Sequence, residues 1–243
     1  MIHFLADLHL SSRTPAITRL FLTYLDGEAK SAEHVFILGD LFEAWPGDDQ
    51  LNDPKDTFAA DLAKRLKSLR DHGICVSIQH GNRDFLLGSH FAEYSGASLL
   101  PDPYALSLPG ARFVLSHGDA FCTDDTDYQA FRRQVRSCTW RDVFLQKPLA
   151  ERQAIAAAMR RQSEASRNNP PRFPLDLNPL AIEALFRDHW YATLIHGHTH
   201  HPAEHEHIVD GKRVERWVLS DWSAERGEYL SWDGRYLMRH EIL

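Results

Sequence analysis

Five apolar, β-rich runs, each leading into side chains that bind hard or borderline metal ions, constrain this chain more than any other feature. Ile2-His3-Phe4-Leu5-Ala6 leads into Asp7-Leu8-His9, Val35-Phe36-Ile37-Leu38 into Gly39-Asp40, and Ile74-Cys75-Val76-Ser77-Ile78 into Gly81-Asn82-Arg83-Asp84. Phe113-Val114-Leu115 leads into Ser116-His117-Gly118-Asp119, and Ala192-Thr193-Leu194-Ile195 into His196-Gly197-His198-Thr199-His200. Short apolar runs bounded by turn residues read as buried strands, so the ligands are expected at strand ends, where neighbouring loops converge. A single block of this kind signals a turn, since Asn tolerates the left-handed conformation and Gly permits tight bends. Five in succession point to one dinuclear metal site and to a hydrolase that uses two ions. Alternate residues of an extended segment point to opposite sides, so aiming both His196 and His198 at one site requires a bent loop.

A length of 243 residues fits one large α/β core with an insertion. The net charge of -7 and pI near 6.1 argue against wholesale nucleic-acid binding. Cys75, Cys122 and Cys138 have no paired spacing and an odd count, so no disulfide framework is expected and a reducing cytoplasm fits. No signal peptide is read before the first strand, and no apolar run approaches the roughly 20 residues that cross a bilayer.

Strand and helix patterns alternate through the first half. Thr14-Pro15 opens a helix expected to end near Lys30, and Asp56 or Thr57 opens another that Gly73 stops. Pro109-Gly110, Asp210-Gly211 and Asp233-Gly234 separate strand-like runs and predict hairpins that complete a second sheet. The simplest architecture is a two-sheet sandwich flanked by helices.

Between the fourth and fifth blocks, residues 130–167 carry a charge of +6, leaving -13 on the rest of the chain. Apolar residues such as Phe131, Val135, Trp140, Phe144, Ile155 and Met159 recur there at roughly helical spacing. Two readings stand: a helical insertion with a solvated basic face, or a cap whose apolar side lines a cleft while its cations meet phosphate and an anionic membrane surface.

The five blocks resemble the motifs of the calcineurin-like metallophosphoesterases. Asp40-Leu41-Phe42-Glu43-Ala44-Trp45, Gly81 through Gly88, Cys122-Thr123-Asp124-Asp125 and Tyr128-Gln129-Ala130-Phe131-Arg132 narrow the resemblance to the UDP-2,3-diacylglucosamine hydrolase family, from Met1 to about Trp232. The resemblance implies a four-layer α/β sandwich of two mixed sheets flanked by helices, with core residues 1–129 and 168–243 and a helical cap at 130–167. It implies hydrolysis of UDP-2,3-diacylglucosamine to UMP and 2,3-diacylglucosamine 1-phosphate (lipid X) in lipid A biosynthesis. A monomer held peripherally at the cytoplasmic face of the inner membrane is expected, acting on a lipid-linked UDP-sugar and no nucleic acid.

Carried over from the family, Asp7, His9, Asp40 and His198 hold one ion, and Asp40, Asn82, His117 and His196 the other, with Asp40 bridging. Carboxylate, amide oxygen and imidazole without thiolate suit two Mn²⁺ ions, which acidify a water for in-line attack on the α-phosphorus. Asp40, Asn82, Arg83 and His117 are the expected catalytic set. Arg83 stands where many relatives place a His that protonates an alkoxide. A pyrophosphate expels a good leaving group, and a permanent cation favours that substrate; the competing role is an ion pair with Asp84. Expected substrate contacts are Asn82, Arg83, Asp125, Tyr128, Ser163, Arg167 and His196.

Arg167 and Pro170 depart from the Asn and Lys common in the family, which leaves open whether Arg167 or Arg172 replaces the lost cation, and His201 has no assigned role. Trp45 reads as a uracil-stacking or a core residue, Asp84 as an orienting partner or a helix cap, and His205 and His207 as surface residues of a strand. Another nucleoside-diphosphate pyrophosphatase or phosphodiesterase is the alternative activity, and a non-catalytic protein-binding scaffold the remote one.

Overall fold

The computed structural model describes residues 1–167 and 176–242, with the side chains of 162–167 left out. In chain order the elements are β1 (Ile2–Leu5), α1 (Pro15–Asp26), β2 (His34–Leu38), α2 (Phe58–Asp71), β3 (Cys75–Gln79), α3 (Ser89–Ser95) and β4 (Ser98–Leu100). There follow β5 (Tyr104–Leu108), β6 (Ala111–Ser116), α4 (Thr126–Val135), α5 (Cys138–Leu145), α6 (Leu149–Arg167) and α7 (Pro179–Asp188). The chain closes with β7 (Thr193–His196), β8 (Ala203–Val209), β9 (Lys212–Val218), β10 (Gly227–Trp232) and β11 (Leu237–Ile242).

Two mixed sheets form the sandwich, in the orders β11-β10-β1-β2-β3-β4 and β5-β6-β7-β9-β8. Phe4, Phe36 and Leu230 from the first sheet meet Phe113, Leu115 and Ile195 from the second in a dry layer between them. The opposite face of the first sheet packs on α1, α2 and α3 through Phe21, Leu66 and Phe91, and that of the second on α7 through Ile182 and Phe186. Alternation along each strand produces this division: Leu194 faces α7 while Ile195 faces the other sheet.

β1, β2 and β3 are parallel, as are β6 and β7. The ends of the two sets meet, since His117 beyond β6 reaches the Leu38 carbonyl at the end of β2 at 2.9 Å, so all five ligand blocks follow strand ends at one edge of the sandwich. Two expectations change. The first helix ends at Asp26, because the backbone of Gly27 leaves the helical region at φ −110° and ψ −98° and a short 3₁₀ turn follows. The Asp233-Gly234 hairpin joins the first sheet, since β10 pairs antiparallel with β1; only the other two hairpins build the second.

Helices α4, α5 and α6 stand over the ligand edge. Four of the basic residues there turn inward. Arg132 and Arg136 reach buried Asp119 at 2.8 and 3.4 Å, and Arg160 reaches Glu43 at 3.1 Å. Arg152, 2 % exposed, donates to the carbonyls of Pro46 and Lys147 at 2.6 and 2.8 Å and grips Asp49. Much of the charge read as a solvated or membrane-facing surface thus clamps these helices onto the core. Among the described residues no helix is long and apolar enough to cross a membrane, and the three cysteines are free thiols.

Candidate active site

At the ends of β1 and β2 the backbone turns left-handed as soon as pairing stops: φ is 54° at Asp7, 49° at His9 and 52° at Asp40. His198 and His200, beyond β7, follow suit at 71° and 56°, so five of the eight left-handed non-glycine residues described lie in the ligand blocks. This conformation is costly for residues with a Cβ and concentrates at functional sites, where it re-aims side chains that a strand would send up or down. The blocks are stitched together by backbone bonds from Asp7 N–H to Gly39 and from His9 N–H to Asp40, 3.2 and 2.9 Å. Asp84, fully buried, accepts N–H bonds from Gly81 at 2.8 Å and from Asp40 and Phe42 at 3.3 Å. It therefore acts as an orienting partner rather than a cap, binding the second block to the third. A Cβ on Gly81 would collide with the Asp40 carboxylate, so only glycine allows this approach.

Asp40 Oδ2 lies 3.8 Å from His9 Nε2 on one side and 3.8 Å from His117 Nε2 on the other. On the first side, His200 Nε2 is 3.5 Å from both His9 Nε2 and Asp7 Oδ1, and its Nδ1 faces Asp221 at 3.5 Å. On the second, Asn82 Oδ1 is 3.0 Å from His117 Nε2 and 3.0 Å from His198 Nδ1. The His117 Nδ1 lies 2.9 Å from the Leu38 carbonyl; a carbonyl only accepts, so Nδ1 carries the proton and Nε2 turns to the site.

The ring nitrogens of His196 meet a different set of residues. His196 is the last residue of β7, and strand parity turns its side chain with Leu194 toward α7, at the strand end beside Gly118 of the fourth block. Its Nδ1 donates to the Gly197 carbonyl at 2.8 Å and its Nε2 meets Arg216 at 3.5 Å, itself paired with Asp176. The geometry sets His198 beside Asn82 and His117, and His200, not singled out from sequence, beside Asp7 and His9, one alternation displaced from the expected pairing of His198 and His196. No local signal in the sequence marks this placement, since it depends on the left-handed turns at His198 and His200 after β7 ends.

The electrostatics suit cations. Burial, reinforced by Asp84 and Asp7, pushes Asp40 up to about 7. Burial works to lower His117, yet the carboxylates of Asp40, Asp7 and Asp119 prevail and raise it to about 9. Burial depresses His9 and His198 to about 3, so both imidazoles are neutral and offer lone pairs at physiological pH.

Beside Asn82 opens a cavity of about 530 Å³. Its polar end holds Asn82, Arg83, Asp125, Tyr128 and Arg160, and its far wall Phe85, Phe131, Trp140, Phe144 and Met159. Tyr128 donates to Asp119 at 2.6 Å and stacks on His198, ring centroids 6.0 Å apart. Asp125 caps α4 by accepting the Tyr128 N–H. Arg83 faces Glu43 at 4.0 Å, while the Asp84 carboxylate is taken by backbone N–H groups. Trp45 is 2 % exposed, donates to Asp48 and packs on Phe42 and Phe91, which makes it a core residue at the cavity edge. The side chains of Ser163, Arg167 and Arg172 lie outside the described residues.

The model of the family described as "Calcineurin-like phosphoesterase" matches residues 1–202, which include all five blocks. The chain belongs to the calcineurin-like phosphoesterases. Within this family it is 46 % identical over 231 residues, 95 % of its length and 92 % of the relative's, to the UDP-2,3-diacylglucosamine hydrolase of Aromatoleum aromaticum. The protein of the same name from an Enterobacter strain is 46 % identical over 91 % of both chains. That of Chromohalobacter salexigens is 42 % identical over 92 % of this chain and 89 % of its own.

Proposed function

We infer that this protein hydrolyses the pyrophosphate bond of UDP-2,3-diacylglucosamine to UMP and 2,3-diacylglucosamine 1-phosphate, a step of lipid A biosynthesis. The single observation that carries this reading is one cavity whose lining joins Asn82 and Arg83 to the apolar side chains of Phe85, Phe131, Trp140, Phe144 and Met159. A diphosphate at one end and acyl chains at the other match that division of polar and apolar walls. The name shared by relatives at 42 to 46 % identity supports the same substrate.

The residues fit two divalent ions. Among the described residues, buried Asp7 Oδ1 has His200 Nε2 only at 3.5 Å and makes no closer hydrogen bond, and Asp40 Oδ2 stands equidistant from two imidazoles. Asp7, His9, Asp40 and His200 would hold one ion, and Asp40, Asn82, His117 and His198 the other. Carboxylate, amide and imidazole donors without thiolate favour Mn²⁺. Bound there, such ions supply charge neutralisation at phosphorus and lower the pKa of water.

The chain's own residues do the remainder. Arg83 is 12 % exposed, and its buried Nε has no partner among the described residues, a donor prepared for an anion that arrives with substrate. Its permanent charge offsets the negative charge spreading over the phosphoryl oxygens as the sugar phosphate leaves without needing a proton. Asn82 fixes the polar end of the cavity, while Asp125 and Tyr128 border the sugar. Residues 130–167 serve as the cap over core residues 1–129 and 168–243. The cap exposes Val143, Leu145 and Phe131 and, separately, Arg133 and Arg161, which supports peripheral attachment to the anionic cytoplasmic face of the inner membrane.

The test is UMP release from UDP-2,3-diacylglucosamine with Mn²⁺, against UDP-N-acetylglucosamine, by the wild type and by His9→Ala and Arg83→Ala. Release from the acylated substrate alone, lost in both variants, is expected. Equal turnover of the unacylated sugar nucleotide would remove the cap from substrate recognition and sink the lipid reading.

A further inference from the structure

The carboxylate of Glu43 occupies an unusual position between the ligand groups and the cap. Its backbone N–H bonds to the Leu10 carbonyl at 3.0 Å, next to the bridge between Leu10 and Phe42, so its Cα is fixed by the first block. The side chain, 13 % exposed, borders the cavity. Oε1 lies 3.1 Å from Arg160 Nε and 4.0 Å from Arg83 Nη1, and Oε2 lies 3.6 Å from His9 Nδ1. Two guanidinium groups from distant parts of the chain, one in the third block and one on α6, therefore converge on a single oxygen. Two such cations repel unless an anion stands between them, and the interaction strengthens as water is excluded.

We propose that Glu43 is a positioning residue that holds Arg83 and Arg160 at the reaction centre before substrate binds and competes with phosphate for them afterwards. A substrate or product phosphate needs the same N–H groups and meets the Glu43 charge as a like charge. The carboxylate thus orders both cations, loosens the bound product anion, and sets the affinity of the polar end of the cavity. This inference rests on the reading of that end as the phosphate subsite.

Glu43→Gln keeps the shape and removes the charge. In the full-length, Mn²⁺-loaded protein, calorimetry should show inorganic phosphate bound roughly three- to fivefold more tightly than by wild type, the range of one partly screened charge. KM for UDP-2,3-diacylglucosamine should fall by a similar factor and kcat should fall with it, because the product anion leaves more slowly. Adding Arg160→Gln should cancel the gain in phosphate affinity. Arg160→Gln alone, with wild-type Glu43 and its fold checked by thermal melting, should weaken phosphate binding. A Glu43→Gln protein with unchanged or weaker phosphate binding and a raised KM would overturn the proposal while wild-type hydrolysis left the function intact. If the wild type binds phosphate but does not hydrolyse the lipid, the substrate assignment fails and the Glu43 effect on phosphate still decides the proposal.

Discussion

The Nε2 atoms of His9 and His200 lie 3.5 Å apart although 191 residues separate them in the chain. Both nitrogens also crowd Asp7 Oδ1 or Asp40 Oδ2, an arrangement of acceptors that a cation satisfies and a proton only partly can. His200→Ala should therefore reduce bound metal and lower kcat/KM by on the order of 100-fold or more, beyond the loss typical of an outer partner of a ligand. His196→Asn, which disturbs a contact with Arg216, should cost less than about tenfold on the same scale. Metal content and kinetics of the two variants side by side check this; equal losses would reject the displaced pairing.

Asp84 gathers three buried N–H groups from two blocks. Asp84→Ala leaves them without an acceptor, and urea unfolding should show a loss of about 3 kcal/mol or more. A loss below about 1 kcal/mol would mean that the blocks hold their positions without it.

Arg152 pins α6 to the loop that contains Pro46 and Asp49. Arg152→Ala should destabilise the protein by about 1 to 3 kcal/mol and accelerate amide exchange in α5 and α6, while metal content stays unchanged. Unaltered exchange in those helices would show that apolar packing alone seats them.

His3 is fully buried against Tyr24 and Tyr229, and burial first, then the charges of His240 and the N-terminus, lowers it to about 4. Between pH 4 and 6.5 the unfolded chain binds a proton at this residue that the folded protein refuses. Stability from His3 is thus complete above about pH 6.5 and is lost as pH falls toward 4. Urea unfolding at pH 4.5 and 7 should show a smaller pH dependence in His3→Phe than in wild type; an identical slope would contradict the assignment.

Strand runs, hairpin turns and ligand blocks were legible because they depend on local pattern: apolar residues at the period of a strand, then Gly, Asn, Asp or His where pairing stops. The hairpin of β10 and β11 was legible as a hairpin but not as a partner of β1, since sheet membership depends on which apolar faces meet and not on the turn. The basic character of residues 130–167 was legible, and its inward use by Arg132, Arg136, Arg152 and Arg160 was not, because the carboxylates and carbonyls they reach belong to distant segments.

The last block draws the line most sharply. Sequence by itself determined that a histidine-rich loop follows a buried strand, as ligand-bearing loops follow four others, and strand pairing gathered the five at one edge. Tertiary structure alone placed His198 beside Asn82, His200 beside Asp7 and His9, and His196 between Gly118 and Arg216. Strand parity and left-handed backbone angles govern where a side chain points, and both become fixed only when the strand has found its place in the sheet.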